Sequence, residues 1–148
     1  MLTFVVVKRV GLWLSLIIRI MKHLLLTLLA ALSISGSCSA QTPVLTLDPK
    51  SFIEAARADS TAMLLDVRRP SEFSEDHLEG AANLDWLNTQ TFRRGMKRLD
   101  RRRTFYIYCR SGRRSSAAAV YMHKKGFRVV DMRGGILLWK EQGLPVVK

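Results

Sequence analysis

Hydrophobic and polar positions divide the chain from residue 44 onward into short apolar runs that alternate with amphipathic stretches. The apolar runs have strand length and little internal alternation, which is typical of strands buried on both faces of a parallel sheet. Four of the five amphipathic stretches begin or end at proline or glycine, as helices do; the exception is 88–99. The pattern therefore predicts an α/β fold whose mainly parallel central sheet has helices on both faces. The predicted strands are 44–47, 62–67, 81–84, 104–108 and 128–132, and the predicted helices are 48–59, 70–76, 88–99, 115–125 and 134–141.

The first 40 residues differ in composition from the rest of the chain. They hold four of the 24 Lys and Arg residues and none of the 12 Asp and Glu residues. A basic start at residues 21–23, the apolar stretch 24–34 and the small polar residues after it predict a secretory signal peptide. We therefore expect translation to start at Met21, with residues 1–20 as an N-terminal extension, and cleavage to follow Ala40.

Three fates of this segment stay open. Cleavage would release a soluble exported protein, periplasmic in a bacterium, whereas a lipid on Cys38 would tether the domain to a membrane. The residues before Cys38 resemble a lipoprotein signal only in part, because Ser35 replaces the usual leucine. An uncleaved segment would act as an anchor, although its apolar stretch is short for a membrane span. In each case we expect residues 41–148 to form one domain.

The predicted domain is basic. Residues 41–148 retain 20 Lys and Arg residues against 12 Asp and Glu residues, a net charge of +8. Such an excess suits an anionic substrate or surface. The sequence has no nucleic-acid-binding motif and no interleaving of basic with aromatic residues, so we expect no nucleic acid partner. We also expect a monomer that needs no cofactor.

The strongest chemical signal lies where the predicted strand 104–108 runs into Cys109. A short loop rich in Gly and Arg follows, and then a helix of small residues begins. Backbone N–H groups at a helix start, together with nearby arginines, favour the thiolate form of a cysteine and attract anions. Ligands of open α/β sheets bind beyond the carboxyl ends of the strands, which is where Cys109 falls. The sequence therefore predicts cysteine chemistry on an anion.

Cysteine usage supports a reactive role for Cys109. If Cys38 is removed or lipidated, Cys109 is the only thiol of the domain, and no internal disulfide is possible. A lone cysteine is often an inert buried side chain. The flanking arginines and glycine argue against a buried apolar setting here, so we expect a functional thiol.

Several segments of the domain carry recognisable motifs. They are LLDVRRPSEF at 64–73, HLEGAANL at 77–84, CRSGRRS at 109–115 and GGILLW at 134–139. Together, in this order and at this spacing, they resemble the signatures of the rhodanese family of sulfurtransferases. The resemblance covers nearly all of residues 44–147, and the one small departure is Asp76, where the family usually has glycine. It implies a rhodanese-like three-layer fold.

The resemblance also implies persulfide chemistry at Cys109. The thiolate would attack the outer sulfur of an anionic donor such as thiosulfate, carry it as a persulfide and pass it to cyanide or a thiol. The loop after Cys109 would bind the substrate, with Arg114 as the first candidate for the anion, and a charged trio would brace the loop. The substrate-binding residues are Arg110, Ser111, Gly112, Arg113, Arg114 and Ser115, and the supporting trio is Asp66, Arg68 and Glu72.

Two other functions compete with this hypothesis. Protein tyrosine phosphatases and rhodanese-like phosphatases place arginine six positions after the cysteine, where this chain has Ser115; by the family's pattern, the shorter loop suits sulfur. A rhodanese-like module could instead carry a persulfide to a partner, or dock on one, with little turnover of small molecules. The intact Cys109 and its arginine-rich loop favour the enzyme. His77 and His123 have no partner at metal-ligand spacing, so we expect no metal.

Overall fold

The computed structural model describes residues 19–23 and 44–148. Residues 19–23 are helical. The apolar stretch 24–34 of the predicted signal peptide, the predicted cleavage site at Ala40 and the candidate lipid site at Cys38 lie outside the described residues. Over the two described ranges, no helix is both long enough and apolar enough to cross a membrane.

A separate unit, residues 42–148, is built on one sheet of five strands. The strands are β1 (Leu45–Leu47), β2 (Ala62–Asp66), β3 (Ala82–Asn83), β4 (Thr104–Tyr108) and β5 (Arg128–Met132). Their order across the sheet is β1-β5-β4-β2-β3, and every neighbouring pair is parallel. The predicted parallel α/β sheet is therefore confirmed, with β4 at its centre.

The same unit carries helices between its strands and after β5. They are α1 (Pro49–Ala58), α2 (Pro70–Glu75), α3 (Thr89–Met96), α4 (Arg113–Lys124) and α5 (Gly135–Glu141). The third is shorter than predicted, because tight turns end it: the N–H groups of Arg98 and Leu99 donate to the carbonyls of Gly95 and Met96. In contrast, α4 begins two residues earlier than predicted, directly after Gly112.

Apolar side chains form one cluster on each face of the sheet. Helices α3 and α4 cover one face, and α1 and α5 cover the other. Alternate residues of β4 serve opposite clusters: Phe105 and Ile107 belong to the first, Tyr106 and Tyr108 to the second. The sheet is thus buried on both faces, which explains why its strands read as continuous apolar runs. This three-layer arrangement agrees with the predicted fold.

Candidate active site

The carboxyl ends of neighbouring parallel strands bring the predicted site residues together. Asp66 is the last residue of β2, and Cys109 directly follows Tyr108, the last residue of β4. The N–H of Val67 donates to the Tyr108 carbonyl at 2.9 Å, so the two strand ends stay paired beyond the sheet. A loop of four residues, 109–112, then leads into α4; we call it the cysteine loop.

The first turn of α5 holds the cysteine loop from the side. The Ile136 N–H donates to the Cys109 carbonyl at 2.8 Å, and the Leu137 N–H donates to the Arg110 carbonyl at 3.1 Å. N–H groups at a helix start have no partner within the helix, so these loop carbonyls satisfy them. Gly135 permits the approach, because its φ is +60° and a Cβ there would lie 2.3 Å from the Cys109 carbonyl oxygen.

Gly112 ends the cysteine loop and stands at the N-cap of α4. Its φ is +88°, in the left-handed region that favours glycine. A Cβ at this position would lie 3.2 Å from the backbone nitrogen of Gly134. The loop therefore closes on α5 through glycines on both sides. Ser111, the other small loop residue, is exposed.

Cys109 is buried, with 1% of its surface exposed. It packs in the same cluster as Phe105 and Ile107, on the face of the sheet that α4 covers. The expectation that its neighbours would keep it out of a buried apolar setting is wrong. Alternation along the strand, rather than neighbours in sequence, decides where the side chain points, so Cys109 turns inward while Arg110 stays exposed. Cys109 is the free cysteine of the described residues.

Arg114, at the start of α4, has two partners. Its guanidinium donates to both carboxylate oxygens of Glu72, at 2.6 and 2.7 Å. The pKa of Arg114 is raised first by this carboxylate and, less strongly, by Cys109, so the guanidinium lies near that cysteine. In return, the hydrogen bond from Arg114 lowers the pKa of Glu72 to about 2. The pair is ionised at neutral pH, and it fixes a positive charge beside Cys109.

The other two members of the predicted trio form a separate, buried pair. The Arg68 Nε donates to the Asp66 carboxylate at 2.8 Å, and Asp66 and Arg68 are 0% and 4% exposed. Arg68 also pairs with Asp76 at 3.3 Å, and Asp76 pairs with Lys140 of α5. The trio is thus divided, because Glu72 contacts Arg114 instead. Asp76, which replaces the family's usual glycine, ties Arg68 to α5.

A cavity of about 820 Å³ opens in front of the cysteine loop. Its walls include Arg110, Ser111 and Arg113 of the predicted substrate-binding set, together with Arg69. Neither Arg110 nor Arg113 pairs with a carboxylate among the described residues. These two cations are therefore available to an anion that enters the cavity.

Ser115 faces the interior rather than the cavity. It is fully buried, and its hydroxyl donates to the Gly112 carbonyl at 3.0 Å. Beside it lies Asp131 of β5, which sequence reasoning did not single out. Burial raises the pKa of Asp131 to about 6, although the Ser115 hydroxyl and the Met132 N–H lower it. A carboxylate inside the apolar run 129–132 was the signal that could have found it.

The histidines and carboxylates of the described ranges form no group that could hold a metal ion. The ring of His77 lies parallel to that of Phe73, with centroids 3.9 Å apart, and its Nδ1 is 3.0 Å from the Phe73 carbonyl oxygen. The backbone of His77 pairs with Val147 in both directions, at 2.8 and 2.9 Å. These contacts give His77 a place in the packing of α2 against the C-terminal tail.

Comparison with known proteins agrees with this geometry. Residues 48–142 match the family model of the rhodanese-like domain. A sulfurtransferase of Allochromatium vinosum is 33% identical over 102 residues, which cover 68% of this chain and 92% of that protein. An uncharacterized protein of Synechocystis is 34% identical over 113 residues, which cover 74% of this chain and 59% of that protein. The crystal structure of a rhodanese-related protein from Thermoplasma volcanium aligns with a TM-score of 0.60 and 31% identity, over 70% of this chain and 97% of that chain.

The match includes the cysteine loop, the Glu72–Arg114 pair and the first turn of α5. It extends over well more than half of the chain, and the Allochromatium relative is named for sulfur transfer. The chain therefore belongs to the rhodanese-like domain family, and this membership supports sulfur transfer as the general class of its chemistry.

Proposed function

We propose that the domain is an active rhodanese that moves a sulfane sulfur from an anionic donor such as thiosulfate to cyanide or a thiol. The observation that carries the proposal is the position of Arg114. The guanidinium lies close enough to Cys109 for that residue to raise the pKa of Arg114, and hydrogen bonds to both oxygens of Glu72 hold it in this position. A fixed cation beside a cysteine favours its thiolate and attracts an anionic donor.

The reaction proceeds in two displacements at Cys109. The thiolate attacks the outer sulfur of thiosulfate, the S–S bond of the donor breaks, and sulfite leaves with the electron pair. The enzyme then carries a persulfide. A cyanide ion or a thiolate attacks the outer sulfur of this persulfide, and the Cys109 thiolate leaves. Neither step needs an oxidant, and two successive displacements give ping-pong kinetics.

The residues around Cys109 divide the remaining work. Arg110 and Arg113 draw the anion into the cavity whose walls they form. The N-terminus of the twelve-residue helix α4 adds a positive partial charge at the end of the cysteine loop. Arg114 orients the donor and neutralises the charge that develops on the sulfur and on the leaving sulfite. Asp66 and Arg68 brace this end of the sheet from the interior.

Location and partners are part of the same proposal. We infer that the domain acts as a monomer outside the cytoplasm, in the periplasm of a bacterium, after cleavage at Ala40. The support is the sequence pattern of residues 21–40, and lipidation at Cys38 is the alternative. No nucleic acid and no cofactor is required by the chemistry proposed, since the donor brings the sulfur that is transferred.

The direct test is the intact mass of the protein after treatment with thiosulfate. We expect the mass to increase by one sulfur atom, and cyanide to remove that sulfur with formation of thiocyanate. Cys109→Ala should show no gain, whereas Ser116→Ala, a change at an exposed position of α4, should behave like the wild type. Sulfur transfer that persists in Cys109→Ala would overturn the mechanism. A wild type that never gains sulfur from thiosulfate would overturn the proposed donor and favour a docking or carrier module.

A further inference from the structure

The interior of the sheet contains a carboxyl group that the proposed mechanism does not use. Asp131 is 3% exposed and pairs in register with Ile107 on the central strand. Because Val129 packs under α4 and side chains alternate along β5, Asp131 faces α4 as well. Its Oδ1 has no hydrogen-bond partner among the described residues. A buried carboxyl with an unsatisfied oxygen is costly, so its presence calls for a physical reason.

Ser115 links this carboxyl to the cysteine loop. Its hydroxyl donates to the Gly112 carbonyl at 3.0 Å. The same hydroxyl is close enough to the Asp131 carboxyl to lower the pKa of that group by hydrogen bonding. A serine hydroxyl has one proton to donate, and its oxygen can accept another. When Asp131 is ionised, the carboxylate and the Gly112 carbonyl compete for that proton. When Asp131 is protonated, it donates to the Ser115 oxygen, and the Ser115 proton remains on Gly112.

Gly112 connects this change in hydrogen bonding to the cysteine loop. It is the last residue of the cysteine loop, and its carbonyl also accepts the Ser116 N–H at 2.9 Å. Its backbone lies against Gly134, at the start of the helix that holds the Cys109 and Arg110 carbonyls. A change at the Gly112 carbonyl therefore acts on the end of the loop that follows Cys109.

The surroundings leave Asp131 without a charged partner. Helix α4 presents Ser115 and the apolar residues Ala118 and Ala119, and β1 pairs with Asp131 through Thr46. On the same face of the sheet, the central strand places Ile107 next to Asp131. Cys109, which can also ionise, is the next residue of that chain segment to face the same side. Burial is the largest cause of the raised pKa of Asp131, about 6, and no ionised group contributes to it. The carboxyl therefore titrates close to neutral pH.

We propose that Asp131 is a positioning residue of the cysteine loop: its neutral form completes a hydrogen-bond chain through Ser115 to the Gly112 carbonyl, and its ionisation breaks that chain. The proton released on ionisation passes to the solvent. The chain itself follows from the fold, and only its effect on sulfur transfer rests on the proposed function. The ionised form also places a negative charge on the same face of the sheet as Cys109, which disfavours an anionic donor there.

Carbon-13 NMR of the full-length protein tests the chain directly. In the wild type we expect the side-chain carboxyl carbon of Asp131 and the carbonyl carbon of Gly112 to shift together with a midpoint near pH 6. In Asp131→Asn, whose amide can donate to Ser115 at every pH, the Gly112 signal should stay constant. In Ser115→Ala, Asp131 should still titrate, but Gly112 should no longer follow it.

A Gly112 signal that does not move while Asp131 titrates in the wild type would overturn the proposal. So would a Gly112 shift that survives in Ser115→Ala. If Asp131→Asn does not fold, the wild type and Ser115→Ala still decide between these outcomes, and none of the three measurements needs sulfur transfer.

Kinetics with thiosulfate test the consequence for the reaction. The kcat/KM of Asp131→Asn relative to the wild type should rise by about threefold as the pH increases through 6, on the order of one neutral hydrogen bond. A ratio that is flat across this range, in an active enzyme, would overturn the link between Asp131 and sulfur transfer.

Discussion

At the scale of single residues, Arg114 does two things with one side chain. Its planar guanidinium donates one hydrogen bond to each carboxylate oxygen of Glu72, and the same group lies near Cys109. Lysine could supply the charge, but it could not form the two-pronged contact that fixes the direction of the group. Glu72 is therefore a positioning residue, and Arg114 is the group that meets the donor.

Replacing Arg114 by Lys should separate charge from geometry. We expect Arg114→Lys to lower kcat/KM with thiosulfate by more than tenfold. Arg113→Lys, one position earlier on α4, is the matched control and should change kcat/KM by less than about twofold. If steady-state assays show an equally small change in kcat/KM for both replacements, only the overall charge of the cavity matters.

The free energy of unfolding should depend on pH in acid, because protonation of Glu72 weakens its pair with Arg114. The pKa of Glu72 in the folded protein, about 2, lies below its ordinary value of 4.5. The stabilisation is therefore complete above pH 4.5 and is lost as the pH falls toward 2. Glu72→Gln should lower the free energy of unfolding by roughly 1–2 kcal/mol near neutral pH and have less effect in acid. Urea denaturation at several pH values measures this.

Sequence reasoning reached the chemistry of the site but not all of its geometry. The cysteine loop and its arginines are adjacent in the sequence, so their role could be predicted. The burial of Cys109 was not, because it depends on which face of β4 the residue joins. The division of Asp66 and Arg68 from Glu72 depends on Arg114, which is 42 positions away from Glu72 in the chain.

At the scale of elements, the cysteine loop is shaped by the helix beside it. The start of α5 binds two of its carbonyls, and Gly135 lets the backbones meet. The GGILLW motif is thus part of the site even though none of its side chains carries out chemistry. Its glycines allow contact, and its apolar residues Ile136 and Trp139 fasten the helix to the core.

Replacing glycine in α5 and just beyond it should show this dependence. Gly135→Ala places a Cβ 2.3 Å from the Cys109 carbonyl oxygen at a φ of +60°. We expect it to lower the free energy of unfolding by about 3 kcal/mol or more and to reduce sulfur transfer. Gly143→Ala is the matched control, since its φ is +71° but nothing lies within 4 Å of the added carbon.

Gly143→Ala should lower the free energy of unfolding by only about 1 kcal/mol, because it adds the strain of a left-handed backbone and no contact. Thermal and urea denaturation of both variants, with sulfur transfer measured in parallel, would make the comparison. If Gly143→Ala is as damaging as Gly135→Ala, backbone strain explains both, and the contact with the loop has no special weight.

The kind and approximate position of each element of the domain could be predicted, because each has its own apolar period and most of the helices have a Pro or Gly at one end. The end of α3 could not be predicted, since the residues after Gly95 form tight turns instead of a last helical turn. The order of strands in the sheet is likewise a property of long-range pairing. Sequence order alone does not show that β1 and β5, at opposite ends of the domain, are neighbours.

At the scale of the whole molecule, the basic charge and the N-terminal segment bear on different questions, the capture of the donor and the location of the protein. The described cations line the cavity as well as the outer surface. A positive field around a cationic cavity raises the rate at which small anions arrive, wherever the protein is located. The proposed export depends instead on residues 21–40, and it requires its own experiment.

Expression of the full chain in a bacterium that exports it tests the proposed location. We expect the protein in the soluble periplasmic fraction, with an intact mass that begins at Gln41 and carries no lipid. Cys38→Ser is the control and should leave both results unchanged. A wild-type protein in the membrane fraction that Cys38→Ser releases would contradict cleavage after Ala40 and establish the lipoprotein.

The C-terminal tail has a consequence for how this domain is cut and tagged. Val147 exchanges backbone hydrogen bonds with His77, and the Trp139 indole donates to the Pro145 carbonyl at 2.9 Å. The family match ends at residue 142, so the recognisable stretch is shorter than the folding unit. A fragment trimmed to that match would lose both contacts, and the backbone N–H and carbonyl of His77 would lose their partners on Val147. A C-terminal affinity tag should therefore follow Lys148 through a flexible spacer, because ending the chain between residues 142 and 147 would remove these contacts.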